Sequence, residues 1–100
     1  MPRWIRPWPN VARKLRWTRQ ALARLDAIAT WIARDNPARA TTFVRELRAN
    51  TDILREHLPG RPGRVYGTRE LVLHRHYVAV YRVQGDEVHI LTLFHTAQKR

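Results

Sequence analysis

One hundred residues make a single domain with a modest core. Nineteen Lys and Arg against eight Asp and Glu give a net charge of +11, a field that favours a polyanionic or acidic partner. There is no cysteine, which removes disulfides and thiolate metal sites and suits a reducing cytoplasm. No apolar run approaches the roughly 20 residues that span a bilayer, and the first residues lack the apolar core of a signal peptide.

Residues 1–13 hold Pro2, Pro7 and Pro9 with Trp4 and Trp8 and have no periodicity. Proline rejects helix interiors and central strands, so this stretch is expected to be a disordered or loosely docked leader, with the single domain over 14–100. Lys14–Trp17 alternates polar and apolar residues, as a short edge strand does. Thr18 is an N-cap residue type. After it, Ala21, Leu22, Leu25, Ile28, Ala29 and Ile32 form one helical stripe reaching about Asp35, with Arg19, Arg24, Asp26 and Arg34 on the other face. Asn36-Pro37 breaks the pattern and starts a second helix, capped by Asn36 and predicted to run to His57. Its stripe is Ala40, Phe43, Val44, Leu47, Leu54 and Leu58, with Ile53 beside it, and Leu58-Pro59-Gly60 is expected to end it.

Residues 61–68 read as a loop from their glycines and proline. Arg69–Arg75, Tyr77–Val83 and Glu87–Phe94 read as consecutive antiparallel strands, the last two joined at Gln84-Gly85-Asp86. Strict alternation places Tyr77, Ala79, Tyr81 and Val83 on one face and Val78, Val80 and Arg82 on the other. It also sets Val88, Ile90, Thr92 and Phe94 against His89, Leu91, Leu93 and His95. The fold class is α+β: an N-terminal strand and a helical hairpin packed on a small, mainly antiparallel sheet, in the order β-α-α-β-β-β. Both sheet faces are largely apolar; the helices cover one, and a docking partner is expected on the other.

Chemistry concentrates in residues 60–98, which carry His74, His76, His89 and His95 and recurring arginines. No carboxylate or cysteine completes a metal-ligand spacing around the histidines, so neither a metal nor another cofactor is expected. The chain has no serine or cysteine to serve as a nucleophile, and its threonines sit in no supporting motif. One enzymatic option fits: metal-independent cleavage of RNA beside its own 2′-hydroxyl, which needs an acid, a base and cations for the phosphate. His95, displayed at the end of an apolar strand, is the first catalytic candidate, with His57 or His76 second and His74 behind them. Tyr77 and Tyr81 read better as core. Arg61, Arg64, Arg69 and Arg82 are the candidate target- or phosphate-binding residues, because the guanidinium fork matches phosphate. Non-catalytic gripping of a protein or nucleic acid fits these residues equally well.

The order of elements and several short words together resemble the RelE/ParE superfamily of bacterial toxins. The words are Ala21, Leu25 and Ile28 in the first helix, then Asn36-Pro37, Gly60–Gly63, Gly67–Leu71, Val80–Val83 and a closing strand ending at His95 with Gln98 behind it. The resemblance covers about Lys14 to Gln98. It implies a growth-inhibiting, plasmid-stabilising toxin of a type II toxin–antitoxin system, cytoplasmic and held by an acidic antitoxin in a hetero-oligomer. RelE-like members of the superfamily cut mRNA on the ribosome, whereas ParE-like members inhibit DNA gyrase without cutting RNA. Many of the nucleases carry a basic residue directly after the tyrosine that opens the middle strand; here Tyr77 is followed by Val78, and their lysine-rich preceding strand survives only as Arg69. His95 resembles a catalytic histidine of YafQ-like nucleases, and His57 sits roughly where those have another, yet ParE-like sequences end the strand similarly. The Val80–Val83 word leans toward ParE, with the ribosome-dependent endonuclease as the alternative.

Overall fold

The structure, a computed structural model, describes residues 13–58 and 60–97. Its elements are β1 (Lys14–Trp17), α1 (Arg19–Ala33), α2 (Pro37–Asn50), a 3-10 turn (Asp52–Arg55), β2 (Arg61–Pro62), β3 (Arg69–His74), β4 (Tyr77–Gln84) and β5 (Glu87–His95). The leader expected over 1–13 lies outside the described residues except for Arg13, whose N–H donates to Arg55 O at 2.8 Å. Gln98 lies outside them as well.

The helix starts are set by side chains. Thr18 Oγ1 accepts from Ala21 N at 3.2 Å, and Asn36 Oδ1 accepts from Arg39 N at 3.0 Å. Each satisfies one of the orphan donors at a helix N-terminus, and Pro37 occupies a first-turn position where no N–H is missed. Thr18 also donates to Ile90 O at 2.7 Å, so the cap of α1 is tied to the sheet beneath it.

The five strands form one sheet in the order β1-β5-β4-β3-β2, with β1 parallel to β5 and all other pairs antiparallel. The α+β class and the position of β1 at an edge agree with the sequence. The hairpin of α1 and α2 covers one face. Between the layers lie Ala21, Leu25, Phe43, Leu47 and Leu54 from the helical side and Leu73, Ala79, Tyr81, Val88, Ile90 and Leu93 from the sheet. Leu22, expected in the stripe of α1, is exposed. No helix among the described residues is long and apolar enough to cross a membrane.

Three sequence expectations are corrected. First, α2 ends at Asn50 rather than His57. Thr51 Oγ1 donates to Arg48 O at 2.6 Å, Asn50 Nδ2 donates to Leu73 O at 2.7 Å, and the chain tightens into the 3-10 turn. The tighter winding turns Leu54 fully into the core and leaves Ile53 exposed. Second, residues 61–68 are not all loop, because Arg61 and Pro62 pair with Glu70 and Arg69 to add a fifth, edge strand.

Third, β5 does not alternate strictly. Its register with β4 steps from Val80↔Thr92 to Tyr81↔Ile90, which leaves Leu91 as an extra residue in a bulge. The bulge shifts the phase of everything after it. Leu93, opposite Ala79, joins Val88 and Ile90 in the core, and His95, opposite Tyr77, follows onto the helix side. Phe94, opposite Val78, goes to the face away from the helices. That face is not the open apolar surface expected there: Val78 is fully buried and Phe94 is 8% exposed, while Val72 is left exposed.

Candidate functional site

His95 stands where β5 ends, beside the tight turn between β3 and β4. Its ring stacks on His76 with centroids 5.3 Å apart and meets Tyr77 in a T-shaped contact at 5.0 Å. Tyr77 in turn meets Phe43 of α2, which packs edge-on against His74. The backbone fixes this end twice: Thr96 N donates to His76 O at 2.8 Å, and Ala97 N donates to His95 Nδ1 at 3.1 Å. With Nδ1 accepting, a neutral His95 ring carries its proton on Nε2. Burial raises the Tyr77 hydroxyl above its ordinary value, and burial does the same at Tyr81, so neither phenol is poised as a base.

A groove of about 450 Å³ opens beside this cluster, lined by Arg24, Ile28, Trp31, Tyr77, Leu93 and His95 among others. Arg24 crosses from α1 and donates from Nε to Leu93 O at 3.0 Å, at the part of β5 that β1 does not reach. Trp31 is exposed, with the Arg34 guanidinium over its ring at 5.4 Å. Nothing in the sequence pattern foretells this groove. Trp31 and Arg24 lie on α1, far ahead of the histidines in the chain, and only the packing of α1 across β5 joins them.

The other candidates lie elsewhere. Arg82 pairs with His89 near the opposite end of β4, five residues from Tyr77, or about 17 Å along the strand. It also points to the face away from the helices, whereas His95 is on the helix side. Arg61 donates from Nε to Glu70 Oε1 at 3.2 Å, neutralising a carboxylate that is almost fully buried. Arg69 donates to Leu58 O at 3.0 Å and sits against Tyr81, where its charge offsets part of the effect of burial on the phenol. Arg64 belongs to the turn between β2 and β3. His57 follows the 3-10 turn, whose Arg55 bonds to Arg13 at the Gln84–Glu87 end of the sheet, again remote from His95. Only His76, of the second-rank histidines, is brought to His95. Among the described residues, no group of three or more His, Cys, Asp or Glu could hold a metal ion.

Comparison with known proteins follows the same lines. The pattern that defines the ParE toxin of the type II toxin–antitoxin system parDE matches residues 15–100. The chain belongs to this family of toxins. A Sinorhizobium fredii protein named as a toxin, Y4kP, is 43% identical over 89 residues, covering 87% of this chain and 92% of its own. The toxin RelE2 of Caulobacter vibrioides is 37% identical over 83 residues, covering 82% and 93%. Among solved structures, a chain of the chromosomal ParDE toxin–antitoxin system of P. aeruginosa superposes with a TM-score of 0.77 at 34% identity, over 84% of this chain and 96% of that one. A chain of the RelBE2 toxin–antitoxin complex of Mycobacterium tuberculosis gives 0.59 at 27% identity, over 88% and 95%. The chain is thus a ParE/RelE-family toxin of a type II toxin–antitoxin system, as its order of motifs implied.

Proposed function

We propose that this toxin is ParE-like: it arrests growth by binding DNA gyrase, does not cut RNA, and is silenced in the cytoplasm by an acidic antitoxin. The observation that carries the reading is the separation of the sequence-predicted arginines from His95; the cation that does line the His95 groove, Arg24, turns its Nε to Leu93 O. Cleavage of RNA needs acid, base and phosphate clamp within hydrogen-bond reach of one phosphate. His95 and Arg82 are about 17 Å apart along β4 and on opposite faces. Arg61 and Arg69 are engaged in holding the fold, and Val78, where RelE-like nucleases have a cation, is a fully buried side chain. The P. aeruginosa ParDE chain, with the higher TM-score and identity of the two structures, supports the same side of the family.

The antitoxin part of the reading rests on the two structural relatives, each from a toxin–antitoxin system, and on the charge of +11. A chain this basic attracts an acidic partner before any contact forms.

Induction of the toxin alone tests the proposal. The expected phenotype is filamentation with DNA-damage signalling while mRNA stays intact. Early loss of translation, with transcripts cut at codon positions, would overturn it in favour of the ribosome-dependent endonuclease. The H95Q variant sharpens the result: a positioned acid or base contributes about 10²–10⁴-fold, so a nuclease would be silenced, whereas a gyrase binder keeps most of its toxicity.

A further inference from the structure

On the face of the sheet turned away from the helices, three strands bring a basic patch together. Leu15, Trp17, Tyr81, Val83, Val88 and Ile90 pack on the helix side, so their neighbours in each strand point the other way. The register places Arg16 beside His89 and His89 beside Arg82, in one row across β1, β5 and β4. With adjacent strands about 4.8 Å apart, the row spans roughly 10 Å. The next row on that face runs Lys14, Glu87, Gln84. Lys14, Arg16 and Arg82 therefore stand against one carboxylate. Glu87 is held by Arg16 Nε at 3.1 Å and His89 Nε2 at 2.8 Å, and the Arg16 side chain remains 60% exposed.

We propose that this row binds the phosphate backbone of duplex DNA, an activity that goes beyond the gyrase reading and does not depend on it. Protein interfaces centre on buried aromatic or aliphatic anchors, and the patch presents none. Single strands are gripped by stacking bases on aromatic rings, and the patch holds no Phe, Tyr or Trp. Arginine guanidiniums suit phosphate oxygens, and contacts to the phosphate backbone position a duplex without reading its sequence. Glu87 tempers the site: its carboxylate competes with phosphate for Arg16, which keeps the affinity low and dependent on salt.

Binding of the full-length toxin to a labelled 20-base-pair duplex, across a salt series, tests the assignment. Each phosphate that is no longer neutralised makes the slope of log K against log salt shallower by about 0.9. The R16Q/R82Q variant should bind about tenfold more weakly at moderate salt, with a slope shallower by about 1.8 for the two arginines. The R19Q/R45Q variant removes the same charge from exposed positions on the helical layer and should keep the wild-type slope. E87Q should bind more tightly, so a loss of structure cannot imitate its result, and far-UV circular dichroism checks the fold of all three. Equal weakening in R16Q/R82Q and R19Q/R45Q would overturn the proposal, as would weaker binding by E87Q. Polyglutamate of matched charge displacing the duplex as well as unlabelled duplex does would overturn it in favour of an acidic protein.

Discussion

At the residue scale, individual side chains hold two jobs at once. Thr18 caps α1 through Ala21 N and donates to Ile90 O, so one hydroxyl fixes both the helix start and its seat on β5. T18A should lower stability by about 1–3 kcal/mol in urea unfolding, because the cap and the hydrogen bond to the Ile90 carbonyl disappear together. Glu87 accepts from His89 and Arg16, and these bonds hold its carboxyl below the ordinary 4.5. A depressed carboxyl contributes stability above its unfolded value and loses it as pH falls through the folded one. The urea midpoint of the wild type should therefore fall below about pH 4.5, and the E87Q variant should lose less over the same range. Thr18 and Asn36 were legible in the sequence because a cap is a local decision: a short polar side chain just ahead of an apolar stripe. The partner of Arg61 was not. Its pairing with Glu70 depends on a two-residue strand with no periodicity to betray it, so a structural arginine reads from sequence like a phosphate clamp.

At the scale of elements, the bulge at Leu91 decides the site. Without it, His95 would face away from the helices; with it, His95 stacks on His76 beside α1. Alternation could predict Tyr77, Ala79, Tyr81 and Val83, because β4 keeps its phase, but a one-residue insertion has no signature in a strand apolar at nearly every position. The early end of α2 escaped for a similar reason. Leu54 continues the helical stripe in sequence, yet reaches the core through a 3-10 turn held by Thr51 and Asn50. L54A should cost about 2–5 kcal/mol, since a fully buried leucine is removed from between the layers. Gly60 leads into β2 at φ +112°, and a Cβ there would run into Glu70 O. G60A should destabilise by about 1–3 kcal/mol. R82Q, on an arginine that takes no part in the core, should leave stability within about 0.5 kcal/mol and so separates target binding from folding.

At the scale of the whole molecule, the fold sorts its chemistry onto separate surfaces: a histidine and tryptophan groove beside α1, and a basic row on the far side of the sheet. Such a division suits a protein that grips large partners over more than one surface. The family was readable because motif order survives where single motifs are weak; the division between surfaces was not, since it follows from register. The most direct test is supercoiling of relaxed plasmid by purified gyrase, with and without the purified toxin. If the toxin binds gyrase, it and H95Q nearly as well block supercoiling or trap cleaved DNA, and antitoxin reverses the effect. Full gyrase activity at toxin concentrations that cut mRNA in a translation extract would contradict the gyrase reading.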